Sequence, residues 1–195
     1  MTKTIEFLFD FGSPTTYLAY RRLPGVVART GATIDVVPVL LGGIFKATGN
    51  ASPVAVPTKG RWMNDDMQRF AAREGITLAF NPDFPINTLQ LMRIAAGLQG
   101  TAAMTPYVEA VFAAMWERPR NMGDPAVVAE VLTAAGIDAA ALLALAATDA
   151  AKERLKANTE SAIARGAFGA PTFFVDGVMY FGQDRLDWVE AAVEA

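Results

Sequence analysis

Residues 9–20, FDFGSPTTYLAY, carry an apolar run into Gly12, Ser13 and Pro14 and then into a segment with helical spacing. A hydroxyl at that junction sits where unpaired backbone N–H groups and the positive end of a helix dipole converge, a place suited to anion binding or chemistry. Ser followed by Pro is equally an ordinary N-cap and first-turn pair. On this stretch alone both readings of Ser13 stand.

The flanks extend the pattern. Residues 4–11 alternate Ile5, Phe7, Phe9 and Phe11 against Glu6, Leu8 and Asp10, the period of a β-strand. Beyond Pro14, TTYLAYRRLPGVVARTG reads as a helix with a kink at Pro24 and a stop at Gly31. ATIDVVPVLL follows as a second, β-branched strand. A strand, a helix and a strand in so short a span predict a βαβ unit with parallel strands and a right-handed crossover.

From Gly42 to about Asp149 the signals turn helical. Met63, Met67 and Phe70 recur along 59–73, with Gly75 as the stop; TPYVEAVFAAMWE places Val108, Val111, Phe112 and Met115 on one face, with Thr105 expected as the cap. DPAVVAEVLTAAG repeats the scheme from Asp124 to Gly136, and helices are expected over 138–147 and 150–165. The Met and aromatic stripes read as core. At the end, TFFVDGVMYF predicts a β-hairpin turning at Asp176 and Gly177, followed by a last helix. A βαβ start, a helical middle and a ββα finish give an α/β chain: a thioredoxin-like part, 1–42 with 150–195, and an all-helical insertion, 43–149.

Composition narrows the chemistry. The 195 residues include no Cys and no His. Disulfides, thiol catalysis, zinc sites of the usual ligand types and a Ser-His-Asp triad are thereby excluded. A Ser13 nucleophile would need Lys46 or Lys59 as its base. The net charge of −3, with Lys and Arg scattered, offers no footprint for nucleic acid or anionic lipid. Hydrophobic residues make up 52 % and mean hydropathy is +0.26, yet no apolar run is long enough for a membrane span. The start, MTKTIEFLFDF, lacks secretory-signal character, so a cytoplasmic location is expected.

Four short motifs in order, SPxxY (Ser13, Pro14, Tyr17), GNxxP (Gly49, Asn50, Pro53), FGxP before the hairpin and the closing FGxDR, resemble one family over nearly the whole chain. It is the DsbA-like branch of the thioredoxin superfamily, with 2-hydroxychromene-2-carboxylate isomerases and kappa-class glutathione transferases. The resemblance implies a DsbA-like fold, a cis peptide at Pro171, glutathione as cofactor, a small aromatic substrate and a homodimer. It also implies a reaction: addition of the glutathione thiolate to a conjugated double bond, rotation, and elimination.

Site roles follow by matching. Ser13 would donate to the glutathione sulfur, and the backbone of Ala170 beside Pro171 would pair with the tripeptide as an added strand. Asp184 would meet the γ-glutamyl ammonium, with backbone N–H groups of Gln183 and Asp184 on its carboxylate and Arg185 beside them; a plain N-cap is the alternative for Asp184. Asn50 and Lys59 would reach glutathione from the insertion. Lys46 would meet a substrate carboxylate, and Trp62, Phe84 and Trp116 would line an aromatic pocket, with surface or core roles as the alternatives. Rival functions are a kappa-like transferase, a non-catalytic peptide-binding lobe and a serine hydrolase.

Overall fold

The computed structural model describes residues 2–195. The alternating aromatics form β1 (Thr4–Phe9), which lies in the middle of a four-stranded mixed sheet and is buried on both faces. β1 pairs in parallel with β2 (Thr33–Pro38) and antiparallel with β3 (Thr172–Val175), which turns into β4 (Val178–Phe181); the order is β2-β1-β3-β4. The hairpin turns at Asp176 and Gly177, both at positive φ, as the Asp-Gly pair predicts.

β1 stops two residues earlier than expected. The Asp10 carbonyl accepts the Ser13 N–H (3.1 Å) and its carboxylate accepts the Gly12 N–H (2.8 Å), which turns the chain away from the sheet. α1 (Pro14–Thr30) follows with Ser13 as its N-cap and continues through Pro24 to Gly31, whose N–H caps Val27 from left-handed backbone. Between β2 and β3 run α2 (Leu41–Thr48), α3 (Pro57–Glu74), α4 (Leu89–Leu98), α5 (Met104–Trp116), α6 (Pro125–Ala134), α7 (Ala139–Ala147) and α8 (Asp149–Ala164). α9 (Leu186–Glu194) closes the chain. Asp124 caps α6 as expected, its side chain accepting from Ala126. Thr105 does not cap α5: the helix starts one residue before it, and Pro106 fits within the first turn because no intrahelical partner awaits its missing N–H.

One apolar cluster runs from the sheet into the helices: Phe7, Phe9 and Phe11 meet Tyr17, Tyr107, Phe112 and Trp116, all at most 1 % exposed. Phe112 of α5 packs its ring 4.9 Å from Phe11 and 5.2 Å from Tyr20. A smaller cluster of Leu8, Val39, Ile44, Ala162, Ala167 and Phe174 covers the other face of β1. Covering both faces holds the end of β1, and with it Ser13, in one place.

Candidate functional site

Ser13 is 5 % exposed, and its hydroxyl is crowded with partners. It donates to the Ala170 carbonyl (2.9 Å), accepts the Thr16 N–H (3.2 Å) and lies 3.0 Å from the Thr15 hydroxyl. The N-cap and the site readings of Ser13 are therefore compatible in geometry: the cap uses a lone pair, and the proton points across to the loop before β3. Within the first turn of α1, the Thr16 hydroxyl is buried with no hydrogen-bond partner among the described residues.

The loop that Ser13 touches contains the Ala170–Pro171 peptide, which is cis. The Ala170 N–H has no hydrogen-bond partner among the described residues, so an unpaired main-chain donor belongs to the same residue, 7 % exposed, whose carbonyl accepts the Ser13 hydroxyl. Pro171 in turn holds the next segment, its carbonyl accepting the Gly182 N–H at 3.0 Å. Gly182 opens a 3-10 turn, Gln183–Arg185, that leads into α9. The N–H groups of Gln183 and Asp184 at the head of this turn have no partner among the described residues. Two donors side by side on a tight turn suit a carboxylate.

Asp184 is not an N-cap. It lies inside the 3-10 turn, the cap position is held by Gly182, and the Asp184 carboxylate pairs with Arg185 at 2.7 Å on the surface. Such an exposed pair is held weakly and exchanges readily for another cation. Gln183 is 5 % exposed, and its side-chain oxygen accepts from Arg22 (2.9 Å).

From the helical segments, Asn50 arrives just past α2 and donates its side-chain amide to the Phe168 carbonyl (2.8 Å), which brings it to the FGxP loop. Lys46, Lys59 and Trp62 are exposed on α2 and α3 and have no hydrogen bond or ion pair to this group among the described residues. Phe84 is half-buried and stacks at a tilt on Trp116, ring centres 5.9 Å apart. Trp116 does not line a pocket as expected: it is fully enclosed, and its indole N–H donates to the Phe11 carbonyl (2.8 Å) in the turn after β1, so it braces that turn.

Sequence reasoning missed Asp10. Its carboxylate is 1 % exposed and accepts three hydrogen bonds at 2.8 Å, from Gly12 N–H, from the Leu41 N–H that opens α2 and from the Thr88 hydroxyl just before α4. Burial raises its pKa above the usual carboxylate range, outweighing the lowering by these bonds. A charged residue two positions before an otherwise apolar turn was the available signal.

Comparison with known proteins places the chain in a family. A family model described as "DSBA-like thioredoxin domain" matches residues 4–194. A 2-hydroxychromene-2-carboxylate isomerase of Sphingobium xenophagum is 34 % identical over 196 residues, 98 % of this chain and 98 % of that protein. Human glutathione S-transferase kappa 1 is 29 % identical over 201 residues, 96 % of this chain and 89 % of that protein. A solved 2-hydroxychromene-2-carboxylate isomerase superposes with a TM-score of 0.86 at 33 % identity, covering 97 % of this chain and 93 % of that one. The chain belongs to the DsbA-like thioredoxin family, in the branch that holds the 2-hydroxychromene-2-carboxylate isomerases and the kappa-class glutathione transferases.

Proposed function

We propose that the protein is a glutathione-dependent cis-trans isomerase acting on 2-hydroxychromene-2-carboxylate or a related intermediate of aromatic degradation. The observation that carries this reading is the Ser13 hydroxyl at the head of α1, bonded to the Ala170 carbonyl, with the loop from Ala170 tied through Pro171 and Gly182 to the unpartnered N–H groups of Gln183 and Asp184, in a chain 34 % identical to such an isomerase. The donor set fits glutathione: a strand-like edge at Ala170 for the cysteinyl backbone, N–H groups and Asp184 for the γ-glutamyl end, and a hydroxyl donor for sulfur. Glutathione would supply the one reagent the chain lacks, a thiolate that adds to a conjugated double bond, permits rotation and is expelled.

The chain's own part is to hold and polarise. A thiol of pKa about 8.5 is mostly protonated at neutral pH, and a helix N-terminus with a hydroxyl donor favours its anion. The Ser13 proton is engaged by the Ala170 carbonyl. A backbone N–H of the tripeptide pairing with that carbonyl would release the hydroxyl to turn toward sulfur, which couples strand-like binding to thiolate stabilisation. Asn50 would steady the loop through Phe168, and Lys59 and Lys46 belong to the same proposal as outer contacts for glutathione and a substrate carboxylate. Trp62 and Phe84 would frame the aromatic substrate, and Arg185 would yield Asp184 to the ligand ammonium. A cytoplasmic homodimer is part of the proposal, to be checked by cell fractionation and by sedimentation of the purified chain.

The test is isomerisation of the chromene carboxylate with and without glutathione, together with calorimetric binding of glutathione. Ser13→Ala should lower turnover about tenfold to a thousandfold, the range for losing one electrostatic donor; turnover within twofold of the wild type removes Ser13 from the mechanism. The likeness to human kappa 1 favours a second reading, conjugation of glutathione to an electrophile. Intact recovery of the tripeptide after turnover separates isomerase from transferase.

A further inference from the structure

The polar contacts of the site close into a ring that returns to α1. Ser13 bonds Ala170, the adjoining Pro171 carbonyl bonds Gly182, and the next residue, Gln183, is seized from below by Arg22. Arg22 Nη1 donates to both the main-chain carbonyl (2.7 Å) and the side-chain oxygen (2.9 Å) of Gln183. The arginine lies about 13 Å beyond Ser13 along the same helix, at 1.5 Å per residue. Its side chain is 12 % exposed, and its other nitrogens face Glu74 (3.6 Å) and Asp187 (3.8 Å), so its charge is balanced without leaving the turn. One rigid helix therefore holds both ends of the candidate site.

We propose that Arg22 is a positioning residue for glutathione: by gripping Gln183 it sets the unpartnered Gln183 and Asp184 N–H groups at a fixed place relative to Ser13, and so selects a ligand with a γ-glutamyl carboxylate. The proposal rests on the glutathione reading above. A planar guanidinium meets two oxygens of one residue with one nitrogen while directing the others to Glu74 and Asp187; a lysine ammonium at the end of a flexible stem does not reproduce that fork.

Truncating the ligand separates this role from a general support of the fold. Glutathione and the dipeptide cysteinylglycine, which lacks the γ-glutamyl group, are titrated by calorimetry into the wild type, Arg22→Met and Arg22→Lys. The wild type should prefer glutathione by about tenfold or more, the worth of a charge-assisted contact. Both variants should lose most of that preference through weaker glutathione binding, with dipeptide affinity within twofold of the wild type and kcat at saturating glutathione nearly unchanged. Arg22→Lys keeps the charge beside Glu74 and Asp187 and carries the same expectation should the methionine variant not fold. Equal weakening of both ligands, or an unchanged preference, overturns the Arg22 assignment alone. Failure of the wild type to bind glutathione overturns the assignment together with the function it rests on.

Discussion

Asp10 shows how much one buried side chain organises. Three segments meet on its carboxylate: the Gly12 turn that presents Ser13, the start of α2 and the approach to α4. All its partners are neutral backbone or hydroxyl groups, and burial lifts its pKa. The sign follows from linkage. A carboxyl whose folded pKa lies above its unfolded one, about 3.9, binds protons more tightly in the native state, so its stabilisation is full below the unfolded pKa and is lost as pH rises through the folded one. Urea denaturation of the wild type and Asp10→Asn across pH 4 to 8 checks this: the stability difference between them should decline as pH rises from about 4 and then level off. A difference that grows with pH would mean that the three hydrogen bonds outweigh burial. Asparagine also turns an amide donor toward either the Leu41 N–H or the Gly12 N–H and Thr88, so the variant should be less stable at the acid end of the range.

At the scale of elements, the turn between β4 and α9 depends on Gly182. Its backbone sits at φ 103°, and a Cβ there would stand 2.5 Å from Asp184 Oδ1. Gly182→Ala should therefore cost about 1–3 kcal/mol in urea denaturation and weaken glutathione binding, because relief of the clash displaces Asp184. Stability and affinity both unchanged would show that the turn is slack. The turn is also instructive about legibility. FGxDR, FGxP and SPxxY are each contiguous, so their residues are readable as strings, and the Asp176-Gly177 hairpin is readable because only a few residue pairs accept two positive φ angles in a row. Arg22 is not readable in this way: its partner Gln183 lies 161 positions away, and an Arg21-Arg22 pair on a helix reads as solvated surface. Asp10 escapes for another reason. Period-2 alternation places it on the face opposite the phenylalanines but says nothing of a second layer covering that face. Trp116 fails as a pocket residue because an indole that finds a main-chain acceptor is as content in the core as at a rim.

Across the whole molecule, the division into a thioredoxin-like part, 1–42 with 150–195, and an insertion, 43–149, is a proposal about chain order that the packing crosses. Phe112 of the insertion packs against Phe9 at the end of β1, Phe11 in the turn after it, and Tyr17 and Tyr20 on α1, with ring centres 4.9–6.0 Å apart. The strand that aims Ser13 is thus wedged in place by a residue from the other part, and the two cannot separate without exposing five aromatic rings. Phe112→Ala should destabilise the protein by about 3–5 kcal/mol, the range for truncating a buried phenylalanine. Unfolding by urea should be one transition, with the fluorescence of the buried Trp116, isolated by replacing the exposed Trp62 and Trp188 with Phe, coinciding with the far-ultraviolet dichroism of all the helices. Two separated transitions would show that the insertion folds by itself and that Ser13 is held by the sheet alone. A single transition, lowered in Phe112→Ala for both probes alike, would mean that the helical insertion is a structural support of the reactive turn and not only a cover for the substrate.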